Sequence, residues 1–198
     1  MTQKPTAKTP PALAAVLGFA LAVTLQARAT TWATACSKPW VFFDLGNTLV
    51  ESTPGKKMEY MPGAHEYLRD LKQRGFRVGL ITNVPQKWGP TSREKIRALK
   101  TTMMKEWTLQ PEANPLDWRD FSDVLIVVPP RDENRKPAPY LFRSALSQVF
   151  LEEGETRCQV VFQGEDAKEV AVARQEGMIG YQVGSKTGSY FLPIEDLE

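Results

Sequence analysis

The chain has 198 residues, 42% hydrophobic and 24% charged, the proportions of a globular protein rather than a disordered or wholly membrane-embedded one. Its formal charge is +2, but the first 35 residues hold Lys4, Lys8 and Arg28 and no acid, so that 22 cations face 23 acids in the remainder and the charge there is −1. That balance gives general nucleic-acid binding no support, and one His with two Cys excludes zinc-finger arithmetic and a multi-disulfide scaffold.

Lys4 and Lys8 precede Pro10-Pro11 and the apolar stretch Ala12 to Leu25, 14 residues interrupted only by Gly18 and Thr24. A charged start and a short apolar middle mark a secretory signal peptide. At helical rise the stretch reaches about 21 Å, short of the roughly 30 Å hydrocarbon core, and Gln26 and Arg28 end it. Small residues at Ala27 and Ala29, and again at Ala33 and Ala35, suit cleavage after Ala29 or after Ala35. An uncut N-terminal anchor and a lipidated Cys36 are the alternatives. Residues 1–35 are thus expected to be a leader or anchor, and 36–198 a single exported domain, periplasmic or secreted.

From Trp40 onward strand-like and helix-like periods alternate without repeats, the pattern of an α/β domain with a mostly parallel sheet. The apolar Trp40-Val41-Phe42-Phe43 predicts a strand buried on both faces. Pro62 opens a helix with the stripe Ala64, Tyr67, Leu68 and Leu71, ended by Gly75. Phe76 to Thr82 reads as the second strand, Ser92 to Lys105 as a helix, Asp123 to Val128 as the third strand and Pro137 to Phe150 as a helix. Gln159 to Gln163 and Ile179 to Val183 complete five strands, with a helix from Asp166 to Glu176 between them. Trp107 to Phe121, with Pro111 and Pro115, is expected to be an irregular packed connection.

In open α/β sheets the working residues gather where strands end at their carboxyl side. Here the first strand ends in Phe43-Asp44-Leu45-Gly46-Asn47-Thr48-Leu49, the second in Leu80-Ile81-Thr82-Asn83 and the fourth in Gly164-Glu165-Asp166, while Arg135-Lys136-Pro137 opens the helix before the fourth. Acidic clusters at neighbouring strand ends repel unless a cation lies between them, and a carboxylate approaches an anionic phosphate only where positive charge screens both. With a single His in the chain, Mg²⁺ among oxygen ligands suits the pattern better than zinc.

The order and spacing of these four motifs, over Trp40 to Gly184, resembles the haloacid dehalogenase (HAD) superfamily, most of whose members are phosphatases. The resemblance implies a Rossmann-like five-stranded domain in which Asp44 is the nucleophile that forms an aspartyl-phosphate. It makes Thr82 and Asn83 phosphate-side residues and Lys136 the cation that offsets charge on nucleophile and phosphate. It places Mg²⁺ on Asp44, the Gly46 carbonyl and Glu165 or Asp166, with Glu169 as a further acidic position. Typical phosphatases of the group carry a second Asp two residues after the nucleophile, where this chain has Gly46. General acid catalysis contributes about 10²–10⁴ in rate, so a substrate with a good leaving group is expected: an acyl, aryl or anomeric sugar phosphate.

Seventeen residues separate Asp44 from Pro62 and seven separate Val128 from Lys136, too few for a cap domain at either place. Relatives without caps act on bulky substrates or cover the site by forming homo-oligomers, and Lys56 and Lys57 on the longer loop read as solvated lysines or as a guide for an anion. His65 reads as an exposed helix residue, and Trp107, Trp118 and Phe121 as packing residues or a substrate surface. Cys36 and Cys158 precede Asp44 and Glu165 by eight and seven residues on strands expected to be neighbours, which suits a disulfide in an oxidising compartment, the alternative being two unpaired thiols. Two other readings remain: a catalytically degenerate domain that binds a phosphorylated ligand or protein, and a dehalogenase, in which the acidic metal cluster would have no use.

Overall fold

The computed structural model describes residues 36–54, 56, 58–107, 116–154, 157–184 and 189–198. The expected leader lies outside them, and among the described residues no helix is long and apolar enough to cross a membrane. Five parallel strands form one sheet in the order β3-β2-β1-β4-β5. They are β1 (Trp40–Phe43), β2 (Arg77–Ile81), β3 (Ile126–Val127), β4 (Val160–Gly164) and β5 (Ile179–Gln182). The helices are α1 (Ala64–Gln73), α2 (Ser92–Glu106), α3 (Tyr140–Glu152) and α4 (Ala167–Gln175). The fold is α/β and Rossmann-like, with no sizeable cap among the described residues.

Strand β1 is buried along its whole length because helices cover both faces of the sheet. Alternation sends Val41 and Phe43 toward α1 and α2, and Trp40 and Phe42 toward α3 and α4. Each such side chain contributes about 1.5–3 kcal/mol on burial. The Phe42 ring fills the space over Gly79, where an added Cβ would lie 2.4 Å from it, so β2 needs a glycine there.

The third strand is shorter than its apolar run predicts. Asp123–Leu125 winds into a 3-10 turn, closed by the Leu125 amide on the Ser122 carbonyl at 2.9 Å, and only Ile126 and Val127 pair with β2. Pro129 and Pro130, which have no N–H, follow immediately. Two helices start later than expected: α1 at Ala64, after Gly63 takes φ 76°, and α3 at Tyr140, after a turn from Arg135 to Ala138 that includes a cis Lys136–Pro137 bond. Helix α2 begins where the pattern places it, because Thr91 and Glu94 form a reciprocal capping box.

The two cysteines are joined, with Cα atoms 5.3 Å apart, at the amino ends of β1 and β4. At the other end of the chain, residues 189–198 fold over the α1 side of the sheet. Phe191 stacks on Tyr67 at 4.6 Å and meets Phe43 edge-on at 6.1 Å. Beneath it the fully buried Gln163 accepts from the Leu192 amide at 2.9 Å and donates to the Tyr67 hydroxyl at 3.0 Å, which itself donates to the Leu192 carbonyl at 2.6 Å. Burial pushes the Tyr67 phenol up to about 12, so it stays a donor.

Candidate active site

The strand order reverses beside β1: β2 and β3 lie on one side of it, β4 and β5 on the other. The reversal falls at the carboxyl ends of β1 and β4, the kind of place where open α/β sheets bind ligands. Asp44 stands at that point, its amide donating to the Gln163 carbonyl at 2.9 Å. Since Phe43 is level with Leu80 on β2 and with Gln163 on β4, Thr82 and Glu165 each lie one residue beyond the level of Asp44, on opposite sides of it.

Lys136 comes in from the loop after β3. Its ammonium is 2.7 Å from Asp44 Oδ1 and 2.6 Å from Glu169 Oε2, with its side chain only 1% exposed. These are ion pairs, and an ammonium has three donors against these two close carboxylates. Asn83 fixes the backbone of Lys136 from both sides, accepting from its amide at 2.7 Å and donating to its carbonyl at 3.1 Å. The Asn83 amide, expected on the phosphate, is thus engaged in holding the lysine.

On the β4 side, Glu165 and Asp166 have separate tasks. Asp166 accepts from the amides of Lys168 and Glu169 and caps α4. Glu165 accepts from the Thr48 hydroxyl at 3.0 Å and faces Asp44. Burial first and the Asp44 charge second push the Glu165 carboxyl above its ordinary range. Burial pushes Glu169 up to about 7, outweighing the opposing pull of Lys136. Asp44 and Glu169 share the one buried ammonium, and Glu165 lies beside Asp44 with no cation of its own, so negative charge is in excess.

That excess, and a donor set made only of oxygen, fit a hard divalent cation such as Mg²⁺. The ligands on offer are two carboxylates, Asp44 and Glu165, and the backbone at Gly46, a set in which Mg²⁺ keeps several waters. Among the described residues, the one gathering of three Cys or acidic ligand atoms within 4.8 Å is Cys36, Glu153 and Cys158, whose sulfurs are bonded to each other.

Gly46 sits in a tight loop. Asn47 adopts φ 52° and donates its amide to the Val50 carbonyl at 2.6 Å, while its side-chain oxygen accepts from the amide and hydroxyl of Ser52, both at 3.1 Å. An added Cβ at position 46 would lie 2.6 Å from Ser52 Oγ and 3.3 Å from Ser52 Cβ. The space a side chain would need is filled.

The remaining candidates lie apart from this cluster. Lys56 pairs with Glu51 at 2.8 Å on the surface, and Lys57 falls outside the described residues. His65 packs on the Tyr60 ring at 5.0 Å and, with Trp118, lines a surface cleft beside α1. Trp107 and Phe121 are core residues. The residues that sequence reasoning passed over are Thr48, Gln163 and Lys95, polar groups buried beside the strand ends. Gln163 closes the apolar run Val160–Phe162, which is a readable signal, whereas Thr48 follows Asn47 in a loop and Lys95 looks like any lysine of a basic helix.

No family model and no curated protein matches the chain. Among solved structures, an uncharacterized protein from Corynebacterium glutamicum is similar over 81% of this chain and 89% of its own, at 15% identity and a TM-score of 0.41. A chain of the Pnkp1/Rnl/Hen1 complex is similar over 80% of this chain at 17% identity and a TM-score of 0.45, and this chain spans 51% of its length. A protein from Mesorhizobium loti described as a HAD-like phosphatase is similar over 71% of this chain and 69% of its own, at 12% identity and a TM-score of 0.40.

Proposed function

We propose that the chain is a Mg²⁺-dependent phosphomonoester hydrolase that works through an aspartyl-phosphate on Asp44. The observation that carries this reading is the position of the Lys136 ammonium, buried and 2.7 Å from Asp44, at the strand ends where the sheet order reverses. An anionic phosphoryl group entering there meets a carboxylate nucleophile beside a cation that offsets the charge of both. Thr82, at the end of β2, offers a hydroxyl to a phosphoryl oxygen. In the first step an Asp44 oxygen bonds phosphorus as the bond to the leaving oxygen breaks and that oxygen departs with the electron pair; in the second, water attacks the phosphorus, the bond to Asp44 breaks to restore its carboxylate, and the water's protons go to the inorganic phosphate and to solvent. Asp44, Glu165 and the Gly46 carbonyl would hold Mg²⁺, which supplies charge neutralisation at the phosphoryl oxygens when bound.

With Gly46 in place of an acid and Ser52 filling the adjoining space, the substrates are phosphates whose leaving group departs unprotonated: acyl, aryl or anomeric phosphates. Export from the cytoplasm is part of the reading, supported by the leader-like first 35 residues and by the Cys36–Cys158 bridge, a bond that persists in oxidising compartments.

A second reading, a domain that binds a phosphorylated ligand without turning it over, is favoured by one observation, the filled space at Gly46. Hydrolysis of an aryl phosphate by the parent and by Asp44→Asn, each with and without Mg²⁺, separates the two. Turnover abolished by both the substitution and EDTA supports the enzyme. Phosphate binding without turnover in the parent supports the binding domain.

A further inference from the structure

Lys95 is 0% exposed, yet it carries an ammonium that no step above uses. Its Nζ donates to the Pro129 and Pro130 carbonyls, each at 2.7 Å, and among the described residues no carboxylate lies within ion-pair distance of it. Burying an ammonium costs several kcal/mol unless its surroundings compensate. Helix stability does not account for it either. Lys95 is the fourth residue of α2, near the positive end of the helix dipole, where a cation is disfavoured. An aliphatic side chain would fill the same volume at lower cost, so the charge is explained by what it holds.

What it holds is the start of the loop that delivers Lys136. Residues 129–136 run from the end of β3 to the site with only a 3-10 turn, Asp132–Asn134, for regular structure. Pro129 and Pro130 have no N–H, so their carbonyls are the only backbone polar groups by which that stretch can be gripped. Further on, Gln86 and Asp132 exchange hydrogen bonds at 3.3 and 3.4 Å, and Asn83 binds the backbone of Lys136. Of these three anchor points, Lys95 supplies the only buried charge, since Asp132 is exposed, and hydrogen bonds with a charged partner are roughly twice as strong as neutral ones.

We infer that Lys95 is a positioning residue: it grips the two proline carbonyls and thereby fixes the path on which Lys136 reaches Asp44. The inference rests on the phosphatase reading for its kinetic consequence, since a catalytic cation displaced by about 1 Å loses on the order of 10² in rate.

The test is a double-mutant cycle on the full chain with Lys95→Met and Lys136→Met, using p-nitrophenyl phosphate with Mg²⁺. Lys95→Gln, which keeps a neutral donor, is run in parallel and carries the cycle if Lys95→Met does not fold. Expected are a kcat lowered about 10- to 100-fold by Lys95→Met with KM changed less than about threefold, partial recovery in Lys95→Gln, and a further loss of less than about twofold when Lys95 is changed in the Lys136→Met background. Unchanged kcat in Lys95→Met, or losses that simply multiply in the double variant, overturn the inference while leaving the phosphatase reading in place. If the parent hydrolyses nothing, the same cycle is read by calorimetry with inorganic phosphate. Weaker binding in Lys95→Met that disappears in the Lys136→Met background supports the inference and removes the phosphatase; unaltered binding removes the inference too.

Discussion

Thr48 and Glu165, 117 residues apart, are joined twice: the Thr48 hydroxyl donates to Glu165 Oε2 at 3.0 Å and accepts from the Glu165 amide at 3.2 Å. One buried hydroxyl thus binds the loop after β1 to the end of β4 and aims the carboxylate at Asp44. In Thr48→Val the shape is kept while Glu165 loses both bonds, at a cost of about 1–3 kcal/mol. Outer partners of metal-binding carboxylates typically account for 10–100-fold in affinity, so the Mg²⁺ concentration for half-maximal turnover should rise by about that factor. Titration of activity against Mg²⁺ checks this, and an unchanged midpoint would show that Thr48 serves folding alone.

The filled space at Gly46 makes the simplest gain-of-function substitution fail. Gly46→Asp alone drives its Cβ against Ser52 and should lower stability by about 1–3 kcal/mol without improving hydrolysis of alkyl phosphates. Combined with Ser52→Gly, the carboxyl has room, and alkyl phosphate hydrolysis should rise on the order of 10² over the parent. Comparing rates on an alkyl and an aryl phosphate reads the outcome; equal rates on the two in the parent would contradict the assignment of leaving group.

The bridge between Cys36 and Cys158 closes a loop with a sequence separation of 122. For loops of that size a disulfide stabilises by about 4–5 kcal/mol in the chain-entropy model. Replacing both cysteines with serine should therefore lower Tm by roughly 10–15 °C, at about 2–4 °C per kcal/mol for a domain of this size. Scanning calorimetry of the oxidised parent and the double variant measures it, and a drop below about 3 °C would mean that the bridge does not restrain the unfolded chain.

Burial holds the Glu169 carboxyl at about 7 in the folded protein against 4.5 for the free group. A raised value means that the folded chain holds this proton more tightly than the unfolded chain. The resulting stabilisation is complete below pH 4.5 and is lost as pH rises through about 7. Denaturant midpoints of the Mg²⁺-free protein, measured across that window, should show a downward component that Glu169→Gln removes. Parallel curves for parent and variant would refute it.

The architecture was legible because its signals are local. The all-apolar Trp40–Phe43, the Thr91–Glu94 cap and the strand-end polar residues each declare themselves within a few positions. The length of β3 did not, because the Asp123–Leu125 turn is apolar enough to pass for strand and only the pairing partner, β2, limits it. Within the site, Asp44, Thr82 and Glu165 stand just past strand ends and Lys136 in the loop after β3, positions that the order of elements along the chain declares. The division of labour between Glu165 and Asp166, and the engagement of Asn83 with Lys136, depend on contacts spanning 53 to 117 residues, which no short window contains. Lys95 was illegible for the same reason: burial of a lysine is decided by what closes over it.

The hydrogen-bond triangle of Tyr67, Gln163 and Leu192 gives the last ten residues an importance out of proportion to their lack of strand or α-helix. Trimming the chain before Tyr190 would take the Leu192 amide from the Gln163 side-chain oxygen and open that part of the core to water, directly behind the nucleophile whose amide leans on Gln163's backbone carbonyl. A shortened version would therefore be expected to lose function before it loses its shape.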